Sequence, residues 1–97
     1  MAVWNNSKMT VYYPASGSSE NDCVVKIDGQ EILVEYDDDG TVRQYRGPNR
    51  GDGHFSLEMH GPGTSGKASL HMFEGSTFLE GYWTEDSYRG MWRIKLA

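Results

Sequence analysis

Histidine, glutamate and serine recur at spacings that bring them onto one face of a β-rich chain, and these are the residue types of acyl-transfer chemistry. With Lys67–Phe73 and Thr77–Thr84 read as neighbouring strands, His71 falls opposite Glu80, and Ser56 and Ser69 share its face. A nucleophile, a base and an orienting carboxylate work together only when they sit within about 3 Å of one another in a cleft. The same face also carries His54, Glu58, Tyr82, Arg89, Met91 and Arg93, the composition of a solvated outer surface. Hydrolase-type chemistry through His71 therefore stands third among the readings of function.

Other motifs lose their chemistry when their context is read. Gly61-Pro-Gly-Thr-Ser-Gly66-Lys67 matches G-x-x-x-x-G-K, and Gly61, Gly63 and Gly66 also match G-x-G-x-x-G. A phosphate loop needs a following helix, whose N-terminal amides hold the anion. Lys67 opens a strand-like alternation instead, and Ala68 lacks a hydroxyl for Mg²⁺, so this segment reads as a hairpin connection. Asp37-Asp38-Asp39-Gly40, taken with Glu35, has acids at calcium-loop spacing. The loop position that must supply a bidentate carboxylate falls on Arg46, which leaves an acidic turn. Arg50-Gly51-Asp52 and the sequon Asn5-Asn6-Ser7 carry meaning only outside the cell, for which no other sign is present. His54, His60 and His71 are dispersed and Cys23 is the one cysteine, so no metal, cofactor or internal disulfide is expected.

One arrangement resists a bland reading: Gly81-Tyr82-Trp83 followed by Gly90-Met91-Trp92. Glycine inside a sheet marks a bend or a close approach. A register that sets Gly81 opposite Gly90 has two interpretations. One is a barrel corner closed over by the indoles. The other is a small apolar recess lined by Gly81, Trp83, Tyr88, Gly90 and Trp92. With this element set in a small antiparallel meander, the chain resembles the calycin-type barrels. In lipocalins the element lies near the N-terminus, whereas here it is doubled at the C-terminus. The resemblance implies a small barrel, and no binding residue is carried over from it.

Short strands must position all of these residues. Apolar side chains recur with a period of two, and no segment holds a 3.6 period over three turns. Strands are read at Lys8–Tyr13, Cys23–Ile27, Gln30–Tyr36, Thr41–Arg46, His54–Met59, Lys67–Phe73, Thr77–Thr84 and Tyr88–Leu96. The spacing predicts an all-β fold: an antiparallel up-and-down meander of seven or eight short strands, closed or nearly closed into a small barrel. Residues 1–97 make one such domain. Asp28-Gly29 predicts a tight turn that sets Val25 against Ile32 and Lys26 against Glu31. Asp37–Gly40 leaves open whether Val42 or Arg43 faces inward. In the C-terminal meander Phe55 is set against Met72, Tyr82 against Arg89, and Glu85-Asp86 forms the turn. One face then gathers Phe55, Leu57, Ala68, Leu70, Met72, Leu79, Trp83, Trp92, Ile94 and Leu96 as the core.

Charge narrows the partners. Nine Lys and Arg against 14 Asp and Glu give a net charge of −5, which argues against nucleic-acid binding. No apolar stretch approaches the roughly 18 residues that span a bilayer, so no membrane association is expected and the cytoplasm is the simplest compartment. Acids crowd Glu20–Gly40 while Arg89, Arg93 and Lys95 mark the last strand, and these strands are expected to lie close and compensate. The leading reading is a non-catalytic binding or interaction module. Its contact surface for a protein partner or a second copy would be Phe73, Phe78 and Tyr82, with Phe73 and Phe78 opposed. The alternative is a small apolar ligand held near Trp83 and Trp92.

Overall fold

The computed structural model describes residues 2–61 and 63–97. Eight strands follow one another: β1 (Ala2–Tyr13), β2 (Gly17–Ile27), β3 (Glu31–Asp38), β4 (Thr41–Pro48), β5 (His54–Gly61), β6 (Thr64–His71), β7 (Phe78–Glu85) and β8 (Tyr88–Lys95). Each pairs antiparallel with the next, and β1 pairs with β8 to close the barrel. An eight-stranded barrel has an interior just wide enough to be filled by side chains or to hold one small ligand. No helix long and apolar enough to cross a membrane occurs among the described residues.

The alternation read from the sequence is what fills the interior. Val25, Ile32, Val34, Leu70, Leu79 and Ile94 are wholly inaccessible, each two residues from another inward side chain of its strand or facing one across the barrel. The C-terminal face gathered from the sequence is buried throughout, with Met72 half-buried against it. Ser7 completes the closure. Its hydroxyl lies 3.3 Å from the Trp4 carbonyl and 3.4 Å from that of Ala97, and it accepts the Ala97 amide at 3.1 Å. The Asn6 amide donates to the Ala97 carbonyl at 3.0 Å, so the two ends of the chain are tied together.

Three hairpin registers differ from the sequence expectation by two residues. In β2–β3, Val25 meets Val34 and Lys26 meets Leu33, not Ile32 and Glu31. Asp28 causes the shift: its carboxylate accepts the Gln30 and Glu31 amides at 2.8 Å, which moves the apex on to Gly29-Gln30. The β7–β8 turn likewise sits at Asp86-Ser87, where Asp86 takes φ 54°, a left-handed conformation that aspartate tolerates. Tyr82 therefore meets Met91 instead of Arg89. In β5–β6 the hairpin is tighter than expected, with Gly61 opposite Thr64 and Phe55 opposite Leu70 instead of Met72. At β3–β4, Asp39 and Gly40 both have positive φ (49° and 88°), and this two-residue turn puts Val42 outside and Arg43 inside.

The charge expectation also changes. Because β1 separates β2 from β8, the acidic β2–β3 hairpin does not lie beside the basic last strand. Arg93 is answered by Glu80 at 3.8 Å on β7, and its guanidinium lies 4.1 Å from the Phe78 ring centre.

Cys23 lies inside the barrel on β2, and burial pushes its thiol up to about 12. Only the thiolate alkylates readily. Iodoacetamide at mildly alkaline pH is therefore expected to leave the folded protein unmodified and to label it once urea unfolds it. Prompt labelling of the folded protein would show that β2 opens on its own.

Candidate functional site

In an up-and-down barrel the alternate connections β1–β2, β3–β4, β5–β6 and β7–β8 lie at one end. Toward that end the inward positions change from aliphatic to aromatic and polar. Tyr13 follows Val11 on β1, Glu85 follows Trp83 on β7, and β3 and β4 contribute Tyr36, Arg43 and Tyr45. All of these but Arg43 line a cavity of about 80 Å³, with Met9, Val11 and Trp92 among its other walls. It opens into a shallower mouth of about 300 Å³, and Tyr13, Asp38, Trp83 and Glu85 line both.

The aromatic walls hold one another. Tyr45 lies between Tyr36, stacked at 6.5 Å, and Trp92, tilted at 5.1 Å. Tyr13 meets Trp83 edge-on at 5.7 Å. Such pairs contribute roughly 0.5–1.5 kcal/mol beyond their buried area. Both indole N–H groups are satisfied away from the cavity, by the Met91 carbonyl (3.2 Å, Trp83) and the Ser69 carbonyl (3.0 Å, Trp92).

The twin Gly-x-Trp elements work crosswise. Trp83 stands opposite Gly90 and Trp92 opposite Gly81, so the glycines do not face each other as the sequence register had them. Trp92 on β8 passes Gly81 on β7 to reach Ser69 on β6. A Cβ at Gly81 would run into the Ser69 carbonyl, and one at Gly90 would meet the Tyr12 carbonyl and the Trp83 ring. Two glycines of the β5–β6 hairpin do similar service. A Cβ at Gly66 would lie 2.5 Å from Tyr45 Oη, and one at Gly61 would lie 2.8 Å from Arg43 Nη1. The spacing that imitates a phosphate loop thus makes room for two buried polar ends.

Those two ends define the chemistry. Tyr45 is 1% exposed, and its hydroxyl has no hydrogen-bond partner among the described residues. Arg43 keeps only 15% of its side chain exposed; its Nε lies 3.6 Å from Asp38, while Nη1 has no partner among the described residues. Burial pushes the Tyr36 and Tyr45 phenols up, and both stay protonated across the physiological range. Burial also pushes the Glu85 carboxyl above its ordinary value. Tyr45 opposes that shift from close by, though not in standard hydrogen-bond geometry, Asp38 and Asp86 add to it, and Arg43 opposes it.

An acid raised in the folded state binds its proton more tightly there than in the unfolded chain. Its contribution to stability is greatest at low pH and declines as pH rises from the unfolded carboxylate value, about 4.3, through the raised one. Glu85→Gln is therefore expected to be more stable than the parent at neutral pH and to show a flatter profile of Tm against pH. Parallel profiles for the two proteins would contradict the burial argument.

No family model, curated protein or solved structure matches this chain.

Of the recess residues read from the sequence, Trp83 and Trp92 line the cavity. Gly81 and Gly90 stand across the β7–β8 ladder from those indoles, and Tyr88 is 72% exposed at the rim of the mouth. The proposed contact residues do not form one patch. Phe73 is 86% exposed beyond the end of β6, where its carbonyl accepts the Ser76 amide, so it does not pair with Phe78. Phe78 is half-buried under Arg93, and Tyr82 lies on the outer face against Met91. His71 pairs with Glu80 as expected, yet its Nδ1 lies 2.7 Å from that of His54. The Ser69 hydroxyl accepts the Tyr82 amide at 3.3 Å, so no serine–histidine contact is made. No group of three metal-binding side chains occurs among the described residues.

Tyr36, Asp38, Arg43, Tyr45 and Glu85 are the site residues that sequence reading passed over. A signal existed. The inward parity of Trp83 falls next on Glu85, and that of Tyr45 falls next on Arg43, so polar groups continue the core stripe at one end.

Proposed function

We propose that this barrel is a non-catalytic binding protein for a small molecule, which enters the mouth beside Tyr13 and Glu85 and reaches Trp83 and Trp92. The carrying observation is the Tyr45 hydroxyl, fully buried on a ring that lines the cavity and without a hydrogen-bond partner among the described residues. Leaving such a group unpaired costs about 1–3 kcal/mol, and phenylalanine would fill the same space without that cost. Its partner must come from what occupies the cavity: solvent in the free protein, and a polar group of the ligand in the complex. The inner volume is about half of the ~150 Å³ that admits benzene, so the ligand is compact or leaves part of itself in the mouth. A hydrogen-bonding ligand replaces the purely apolar one that the paired tryptophans alone would favour.

The test uses three compact probes of one shape: tert-butylammonium, tert-butanol and pivalate. Amide and indole NMR shifts at Tyr45, Glu85, Trp83 and Trp92 should move with at least one of them, and Tyr45→Phe should weaken the effect. No shift from any probe at millimolar concentration would end this reading.

Contact with another protein is the second reading, favoured by an exposed apolar row. Tyr12, Met91 and Tyr82 stand side by side on β1, β8 and β7, each about half exposed. Sedimentation should then show concentration-dependent self-association that Met91→Glu abolishes. A strict monomer at high concentration would remove the second-copy form of it.

A further inference from the structure

The walls of the cavity carry a charge pattern that selects among small ligands. Two carboxylates, Asp38 and Glu85, line the inner cavity, and no cationic side chain does. Arg43 lines the outer mouth, its Nε 3.6 Å from Asp38 and its Nη1 without a partner among the described residues. Glu85 makes neither an ion pair nor a hydrogen bond of standard geometry among the described residues, and Asp86 adds a further negative charge at the rim. The remaining walls are the rings of tyrosine and tryptophan together with Met9, Val11 and Asn21. Cations are attracted to aromatic faces by the ring quadrupole, most strongly when desolvated. Anions are repelled by such faces and by the acidic rim alike.

We propose that the ligand at the barrel mouth is a small organic ammonium, its cationic head held between the aromatic walls and the Glu85 carboxylate, with Tyr45 Oη accepting one of its protons. The proposal rests on the reading of the mouth as a ligand site. It gives Glu85 and the Tyr45 hydroxyl each a task, and leaves Arg43 Nη1 to the outer mouth. Glu85 gains the counter-charge that burial makes it want, the Tyr45 hydroxyl gains a donor, and the rings of Tyr36, Trp83 and Trp92 enclose the apolar part. A carboxylate would satisfy the Tyr45 hydroxyl equally well as an acceptor, but it would have to sit beside Glu85 and Asp38 with only Arg43 to offset them.

The three isosteric probes separate the outcomes. Tert-butylammonium should bind with a dissociation constant about tenfold or more below that of tert-butanol, and pivalate should leave the mouth resonances unmoved. Glu85→Gln should erase the advantage of the ammonium over the alcohol while leaving the alcohol's own shifts in place. Folding of the variant is checked from its dispersed amide spectrum. Equal or tighter binding of tert-butanol or pivalate overturns the ammonium assignment and leaves the ligand site standing. Silence from all three probes overturns both.

Discussion

Gly81→Val is expected to leave the chain unfolded at room temperature. The added Cβ points at the Ser69 carbonyl of β6, a backbone atom that cannot swing aside as a side chain would. Overpacking in a core ordinarily costs about 1–3 kcal/mol. Here it also displaces Trp92, whose indole passes this glycine to reach Ser69, and truncating a buried tryptophan costs about 3–5 kcal/mol. A small domain commonly has a total stability of about 5–15 kcal/mol, so the combined loss is comparable with all of it. Loss of the dispersed amide spectrum is the readout. Gly29→Ala is the control: nothing lies within 4 Å of a Cβ there, and its effect should stay within about 0.5 kcal/mol. A folded Gly81→Val with an unchanged urea midpoint would mean that β6 and β7 are not held together at this point.

Tyr45 should give opposite results with two substitutions. Tyr45→Ala removes a fully buried ring that touches both Tyr36 and Trp92, and about 3–5 kcal/mol of stability should go with it. Tyr45→Phe keeps the ring and deletes a hydroxyl that has no partner among the described residues, so stability should hold or rise by about 1 kcal/mol. Probe binding should nevertheless weaken. A residue whose conservative replacement improves the fold while harming binding is retained for the binding. A loss of more than about 1 kcal/mol on Tyr45→Phe would show that the hydroxyl is already bonded within the protein, and would remove the observation on which the site rests.

Which face each side chain occupies was legible in the sequence, whereas its neighbour across the β2–β3, β5–β6 and β7–β8 hairpins was not. Parity follows from alternation alone, and a slip of two residues preserves it. That is why Phe55, Leu70, Trp83 and Trp92 are all inside even though their expected partners across the β5–β6 and β7–β8 hairpins were two residues off, while Ala68 meets Trp83 as expected. The partners depend on turn apices, and those were decided by groups that a dipeptide signal does not report. Asp28 caps its own loop through its carboxylate, and Asp86 accepts a left-handed backbone. The site was hidden for the same reason. Arg43 and Glu85 sit next to turns, where polar residues look like ordinary loop chemistry, and only the settled register shows that they point inward.

The knot made by Ser7, Asn6 and Ala97 also fixes where additions to the chain can go. The termini meet at the end of the barrel away from Tyr13, Glu85 and the mouth. A partner fused at either end, or a short peptide joining the two, leaves the mouth at Tyr13 and Glu85 unobstructed. Folds whose ends lie together also accept circular permutation. New termini opened in the Asn49–Gly53 loop would fall at that same far end, so the order of the strands is free to change while the cavity at the other end stays intact.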